Sequence, residues 1–172
     1  MTAAIRIAVA GVTIALAWLP ARAEAAGDTR VQIGGDFGGL AGWPGAFTGS
    51  EVRVTVPVNE RGAVETFGGV ARPAANDTLG FYGVMFKRHL RGTHTPGFQP
   101  FLSFGGAGIV YVAERHSIIT PPFAGIVGGG VERRVHDRVI VRLEAQALTL
   151  LVIPVAVRVM TGVSVPIGRS AR

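Results

Sequence analysis

The chain has no cysteine, which excludes disulfide bonds, cysteine-ligated metals and a lipid-anchored N-terminal cysteine. It has one lysine, Lys87, although 17 residues are basic. After the first segment, no apolar run approaches the roughly 20 residues that a helical membrane span needs. The longest such run, Ala147 to Val157, is short and contains Pro154. The sequence therefore predicts neither a disulfide scaffold nor a helical membrane protein.

The first segment has the layout of an export signal. Arg6 supplies a positive start, Ile7 to Leu19 is an uninterrupted apolar run, and residues 21–25 offer two small-x-small cleavage patterns. An apolar run of this length is too short to span a bilayer comfortably, although an uncleaved anchor helix is the alternative. Residues 1–25 are therefore predicted to be a signal peptide, followed by one exported domain over residues 26–172.

Alternation of polar and apolar residues is the dominant pattern in the rest of the chain. The 25 glycines and the valine-rich runs disfavour helices and suit short strands. In Glu51 to Asn59 every even position is valine, and every odd position is polar, charged or proline. Successive side chains of a strand point to opposite faces, so this segment has one apolar face. Arg30 to Phe37, Arg138 to Gln146 and Val155 to Val165 repeat the pattern.

Four further segments, rich in glycine, valine and aromatic residues, complete a set of eight predicted strands. They are Gly62 to Arg72, Thr78 to Arg88, Phe98 to Ala113 and Phe123 to Arg134. The predicted connections are Gly38–Ser50, Asn59–Gly62, Arg72–Asp77, His89–Gly97, Glu114–Pro122 and Val135–Asp137. The sequence thus predicts an all-β fold, either a soluble β-sandwich or an eight-stranded antiparallel barrel.

The charges on the predicted polar faces discriminate between these two architectures. Four arginines oppose five carboxylates: Arg30, Arg53, Arg142 and Arg158 against Asp36, Glu51, Glu65, Glu132 and Glu144. An eight-stranded barrel is just wide enough for side chains to fill it. Ions enclosed there must be paired, because isolated buried charge is costly. A solvated sandwich face imposes no such balance, so the charges favour a membrane barrel with valine toward lipid and ions inward.

Three segments in the second half of the chain resemble the outer membrane protein A-like β-barrel family. Gly128 to Glu144 is similar to the family's sixth and seventh strands, in which Val-Glu ends one strand and Arg-x-Glu faces inward on the next. Gln99 to Gly108 is similar to its fifth strand, and Thr161 to Val165 to its closing strand. The resemblance implies an eight-stranded up-and-down transmembrane barrel in the bacterial outer membrane, inserted by the barrel-assembly machinery. Unlike typical members, the chain lacks an aromatic residue at its C-terminal end.

An interior ion network follows from the resemblance and from the charges. The resemblance implies that Glu132, Arg142, Glu144 and Arg158 belong to it, and the alternation of the earlier strands adds Arg30, Arg53 and Glu65. Removing an interior carboxylate should leave an arginine unpaired. Glu144→Ala is therefore predicted to destabilise the protein more than Glu60→Ala.

The remaining positive charge lies mostly in the predicted connections. With the N-terminus periplasmic, Arg61, Arg88, Arg91, Arg134, Arg138, Arg169 and Arg172 fall at the periplasmic rim, and Arg72 and Arg115 near the outer rim. Arginine at a bilayer edge can bind lipid phosphates. The expected partners are therefore outer-membrane lipids, including lipopolysaccharide, and not nucleic acid. Aromatic residues near strand ends either form interfacial girdles or pack as ordinary aromatic side chains: Trp43, Phe47, Phe81, Tyr82, Phe86, Phe98 and Phe101.

No catalytic or metal-binding pattern emerges from the four histidines, and no cofactor is expected. His89, His94, His116 and His136 all fall in predicted connections. His116 and Ser117 suggest a lipid A-modifying, deacylase-like enzyme, but adjacent residues of a strand point to opposite faces. We predict a monomeric, non-enzymatic outer-membrane barrel with a structural, envelope-integrity or surface-interaction role. The deacylase and a soluble periplasmic sandwich that binds a partner are the alternatives.

Overall fold

The computed structural model of the protein describes residues 30–42, 45–72, 78–91, 97–113, 116–119, 124–136, 138–150 and 153–168. The predicted signal peptide lies outside these residues. The described chain forms nine strands: β1 Val31–Gly42, β2 Gly45–Pro57, β3 Gly62–Arg72, β4 Thr78–His89, β5 Phe98–Ala113, β6 His116–Ile119, β7 Ala124–His136, β8 Val139–Leu150 and β9 Ile153–Ile167. Within the same ranges, there is no helix of the length and hydrophobicity that crossing a bilayer requires.

Eight of the nine strands close into an antiparallel barrel, because β9 pairs with β1. A line of paired residues that leaves β1 at Gln32, opposite Thr55, returns to β1 at Gly42, opposite Ala156. The wall is thus staggered by ten residues (42 minus 32), which tilts the strands strongly against the barrel axis. β6 pairs with the end of β5 and extends that hairpin beyond the closed wall. The predicted eight-stranded barrel is confirmed.

Side chains alternate between the two faces of this wall. Outward positions carry apolar residues with large exposed fractions, such as Phe37 (61%), Phe98 (60%) and Val127 (60%). Inward positions carry buried charges, such as Arg53 and Glu65. This is the inverse of a soluble domain, in which apolar side chains pack together and ions face water. The sandwich alternative was wrong, because the sheet closes on itself and keeps its valine face on the outside.

The strands extend further than predicted at one end of the barrel. Gly38–Ser50, predicted to be a loop, is instead the end of β1 and the start of β2, joined at residues 43–44. Glycine interrupts the apolar alternation there and hides the strands from a pattern search. The pairing nevertheless continues to Leu40 opposite Phe47, and Phe47 is buried inside.

The prediction that the histidines lie in connections was wrong for the three that the structure describes. His89 is the last residue of β4, and His116 and His136 also belong to strands, whereas His94 lies outside the described residues. His89 continues the inward alternation of β4 and is buried.

The predicted aromatic girdle is only partly on the outside of the barrel. Phe47, Phe81 and Phe101 are buried in the interior, since each occupies an inward position of its strand. Tyr82, Phe86 and Phe98 occupy outward positions. Trp43 lies outside the described residues.

We call the end of the barrel where β1 begins and β9 ends the terminal end. The interior is apolar in the half of the barrel farther from this end. The apolar cluster in the other half comprises Phe47, Phe67, Ala71, Leu79, Phe81, Met85, Ala107, Ile126, Leu148 and Ala156, with Leu40 packed against it. The rings of Phe67 and Phe81 lie 6.4 Å apart, centroid to centroid. This half of the barrel is therefore filled by hydrophobic packing, not by ions.

Candidate functional site

The half of the interior nearer the terminal end contains a network of buried charges centred on Arg53 of β2. The Arg53 guanidinium contacts four carboxylates, each of which is also buried. Its nitrogens lie 3.1 Å from Asp36, 2.5 Å from Glu51, 2.6 Å from Glu65 and 3.0 Å from Glu144. Such multidentate, charge-assisted contacts fix the planar guanidinium in one orientation. Arg53 thereby ties together β1, β2, β3 and β8.

Two more arginines extend the network across the barrel. Arg142 of β8 donates to Asp36 and lies 3.4 Å from a Glu65 oxygen. Arg158 of β9 lies 2.8 Å from Glu51 and donates to the side-chain oxygen of Gln146. Every carboxylate that Arg53 contacts, therefore, has a further polar partner in the network, which limits the cost of enclosing so many charges.

Neutral side chains also donate hydrogen bonds to two of these carboxylates, Glu144 and Glu65. Ser103 and Gln146 donate to one oxygen of Glu144, at 2.7 Å and 2.6 Å. Thr55 donates to Glu65 at 2.8 Å. Phe67 lies at the boundary with the apolar half, with its ring centre 4.6 Å from the guanidinium carbon of Arg158.

Lys87 and His89 of β4 join the network, although the sequence analysis did not include them. Lys87 Nζ lies 2.7 Å from both Glu65 and Glu132, and His89 Nε2 lies 2.9 Å from the other Glu132 oxygen. The alternation of β4 is obscured by glycine and by apolar residues on both faces. A signal was present, because Met85, Lys87 and His89 share one face at a spacing of two.

The predicted network residues occupy two kinds of position. Arg53, Glu65, Glu132, Arg142, Glu144 and Arg158 are all buried inside the barrel and belong to one connected network, which Arg158 joins through Glu51 and Gln146. Arg30 instead directly precedes β1, is half-buried and lies against Gly168 at the terminal end.

The interior charges nearly balance within the described residues. Five carboxylates, Asp36, Glu51, Glu65, Glu132 and Glu144, face four permanently charged cations, Arg53, Lys87, Arg142 and Arg158. The charges therefore fit an enclosed, non-aqueous interior.

A small polar cavity of about 50 Å³ opens beside the network at the terminal end. Its lining includes Gln32, Thr55, Lys87, His89 and Glu132. Beyond it, among the described residues, lie first the ion network and then the apolar cluster.

The described residues offer no obvious reaction centre. They include no group of three histidine or acidic side chains placed to hold a metal ion. His116 and Ser117 are neighbours on β6, where they pair with Ala113 and Val112 of β5. The predicted position of this pair in a connection was wrong, because both residues belong to a strand.

This combination of a staggered eight-stranded wall, an apolar outer belt and an ion-filled interior is the fold of small outer-membrane β-barrels. No family model and no curated protein matches the chain. Solved structures do. The N-terminal β-barrel domain of Pseudomonas aeruginosa OprF superposes with a TM-score of 0.60 at 11% identity, over 79% of this chain and 97% of that domain.

Two further outer-membrane barrels show the same likeness. Ail, the attachment invasion locus protein of Yersinia pestis, has a TM-score of 0.53 at 12% identity and covers 83% of this chain and 99% of its own. Neisserial surface protein A has a TM-score of 0.52 at 16% identity, with coverages of 80% and 96%. At these identities the likeness defines the fold and not a shared role.

Proposed function

We propose that the protein is a non-enzymatic barrel of the bacterial outer membrane that acts in envelope structure or surface interaction. The observation that supports this most is the inversion of the wall, with paired ions inside and exposed valine and phenylalanine outside. Such a surface is stable only in contact with hydrocarbon. The filled interior supports a closed barrel, and the short connections argue against a large ligand site.

In the proposed arrangement, the signal peptide directs export and the barrel-assembly machinery inserts the barrel as a monomer. The chain termini face the periplasm, and lipopolysaccharide and phospholipids surround the apolar belt.

Cell fractionation combined with protease treatment tests the proposal. We expect the mature protein in outer-membrane fractions, resistant to protease until detergent is added, and with a heat-modifiable gel shift. Planar bilayers should show no conductance. Recovery as a soluble periplasmic protein would refute the proposal. Release of acyl chains from lipid A, abolished by H116A or S117A, would instead support the enzymatic alternative.

A further inference from the structure

A recess on the outside of the barrel lies at the terminal end, between the β2–β3 turn and the end of β4. Its volume is about 660 Å³, and its lining consists of Asn59, Glu60, Arg61, Gly62, Phe86 and Arg88. Phe86 and Arg88 occupy outward positions of β4, and Arg61 projects from the turn. The recess therefore places two guanidinium groups at the edge of the apolar outer surface of the barrel.

The backbone holds the two arginines next to each other. The Asn59 side-chain oxygen accepts hydrogen bonds from the backbone N–H groups of Arg61 and Gly62, at 3.0 Å and 2.7 Å. The Arg61 carbonyl in turn accepts a 2.7 Å bond from the backbone N–H of His89, which follows Arg88. The turn is thus tied to β4 at the residue next to the second arginine.

The charge of the recess is not neutralised from within. Arg61 and Arg88 are both exposed, and neither side chain forms an ion pair with another described residue. Glu60 is the one carboxylate among the lining residues, so the two arginines leave a net positive charge. Below them, the ring of Phe86 packs against Phe104, with centroids 5.4 Å apart, and Phe104 is largely exposed on the outer face.

We propose that this recess binds the phosphate of an anionic phospholipid, with an acyl chain lying along Phe86 and Phe104. Guanidinium groups bind phosphate oxygens with directed, charge-assisted hydrogen bonds. The apolar side chains of Phe86 and Phe104 add contact area for an acyl chain, so a ligand with both a phosphate and an apolar chain fits the recess. The inference rests on the proposed function, which places the terminal end in the periplasmic leaflet and so selects a phospholipid over lipid A.

Native mass spectrometry of the mature barrel, extracted from membranes in detergent, tests this site. The probes are phosphatidylglycerol, phosphatidylethanolamine and bisphosphorylated lipid A, each titrated separately. An arginine facing an anionic lipid contributes roughly fivefold in affinity. The double variant R61Q/R88Q should therefore weaken phosphatidylglycerol binding by about 25-fold and phosphatidylethanolamine binding by much less, because the ammonium group of that lipid offsets the charge of its phosphate.

The matched control is R133Q/R138Q, which removes the same charge from exposed residues of the same rim. It should leave phosphatidylglycerol binding within about twofold, because neither arginine lines the recess and the field of exposed charges is screened. Equal losses in both double variants would overturn the assignment to the recess. Preferential retention of lipid A would overturn the choice of phospholipid.

The heat-modifiable gel shift, recorded on the same samples, separates this inference from the proposed function. A folded outer-membrane barrel that does not bind phosphatidylglycerol would refute the lipid site alone. Absence of the shift in membrane extracts would refute the barrel function itself. The variants should all retain the shift, since neither double substitution touches the interior network.

Discussion

The two halves of the barrel interior are filled by opposite kinds of side chain, charged near the terminal end and apolar in the other half. Near the terminal end, guanidinium and carboxylate groups fill the cross-section, with Arg53 contacting four acids. In the other half, Phe47, Leu79 and Leu148 are packed as in the core of a soluble protein. Phe67 marks the boundary, since its ring contacts both Phe81 and the Arg158 guanidinium.

The two halves contribute differently to the stability of the barrel and to the register of its strands. A buried ion pair recovers through attraction about what it loses through desolvation, so the charged half adds little net stability but strongly penalises any wrong register. Burial of apolar side chains is favourable without such directional requirements. We infer that the charged half selects the pairing of the strands, whereas the apolar half contributes stability and seals the barrel.

Arg53→Met should have the largest effect, because it leaves four carboxylates around an uncharged side chain. Removing one partner of a buried ion pair costs about 3–5 kcal/mol, and here several contacts are lost together. Urea unfolding of the refolded protein in phospholipid vesicles, followed by the gel shift, measures the loss. The control Arg133→Met replaces an exposed arginine of β7 and should change stability by less than about 0.5 kcal/mol.

Glu144→Ala should follow, with a loss of about 2–4 kcal/mol. Glu144 accepts hydrogen bonds from Arg53, Ser103 and Gln146, so its removal leaves three donors without this acceptor. Glu60 is exposed in the β2–β3 turn, and Glu60→Ala should be nearly neutral in the same urea titration. Equal losses for the two variants would contradict the interior assignment of β8.

Leu79→Ala tests the apolar half. Leu79 is 1% exposed, and a cavity in its place should cost about 2–3 kcal/mol. Leu143→Ala is the matched control on the lipid-facing surface, where the side chain is 52% exposed. Lipid can fill the space left by Leu143 but not that left by Leu79, so the control should lose less than half as much. If both variants lost the same stability, the apolar half would not be a closed core.

Sequence alone predicted the barrel and most of its charged half, for a physical reason. Where valine alternates with charge, as in β2, β8 and β9, each polar position can be assigned to the interior. The apolar half gives no such signal, because Phe47 or Leu79 inside resembles valine outside. Glycine adds to the difficulty, since it hid the start of β2.

The sequence also did not predict the part of the charged half that lines the cavity at the terminal end. Lys87 and His89 share one face of β4 with Met85, but they follow a stretch in which apolar residues occupy both faces, so this signal was weak. Their role depends on contacts with Glu65 and Glu132, which belong to strands that only the closed wall brings near. The recess beside Arg88 likewise arises from a turn and a strand that are distant in sequence.

His89→Phe should cause the smallest loss of stability of the substitutions in the network. It therefore shows how much less an outer contact contributes than the central contacts of Arg53. The substitution keeps an aromatic ring against Phe101, whose centroid lies 6.1 Å from that of His89, but removes the hydrogen bond to Glu132. Lys87 still contacts Glu132 at 2.7 Å, so the carboxylate keeps a cationic partner. We expect a loss of about 1 kcal/mol, the usual contribution of one hydrogen bond.

His89→Gln sharpens that result, because an amide can still donate to Glu132 and should recover part of the loss. Both variants are measured by the same urea titration as Arg53→Met. A loss for His89→Phe as large as that for Arg53→Met would mean that the contact between His89 and Glu132 is as necessary as the contacts of Arg53. The network would then depend on the outer contact between His89 and Glu132 as strongly as on the central contacts of Arg53. The distinction between an enclosed central arginine and a replaceable outer histidine would be wrong.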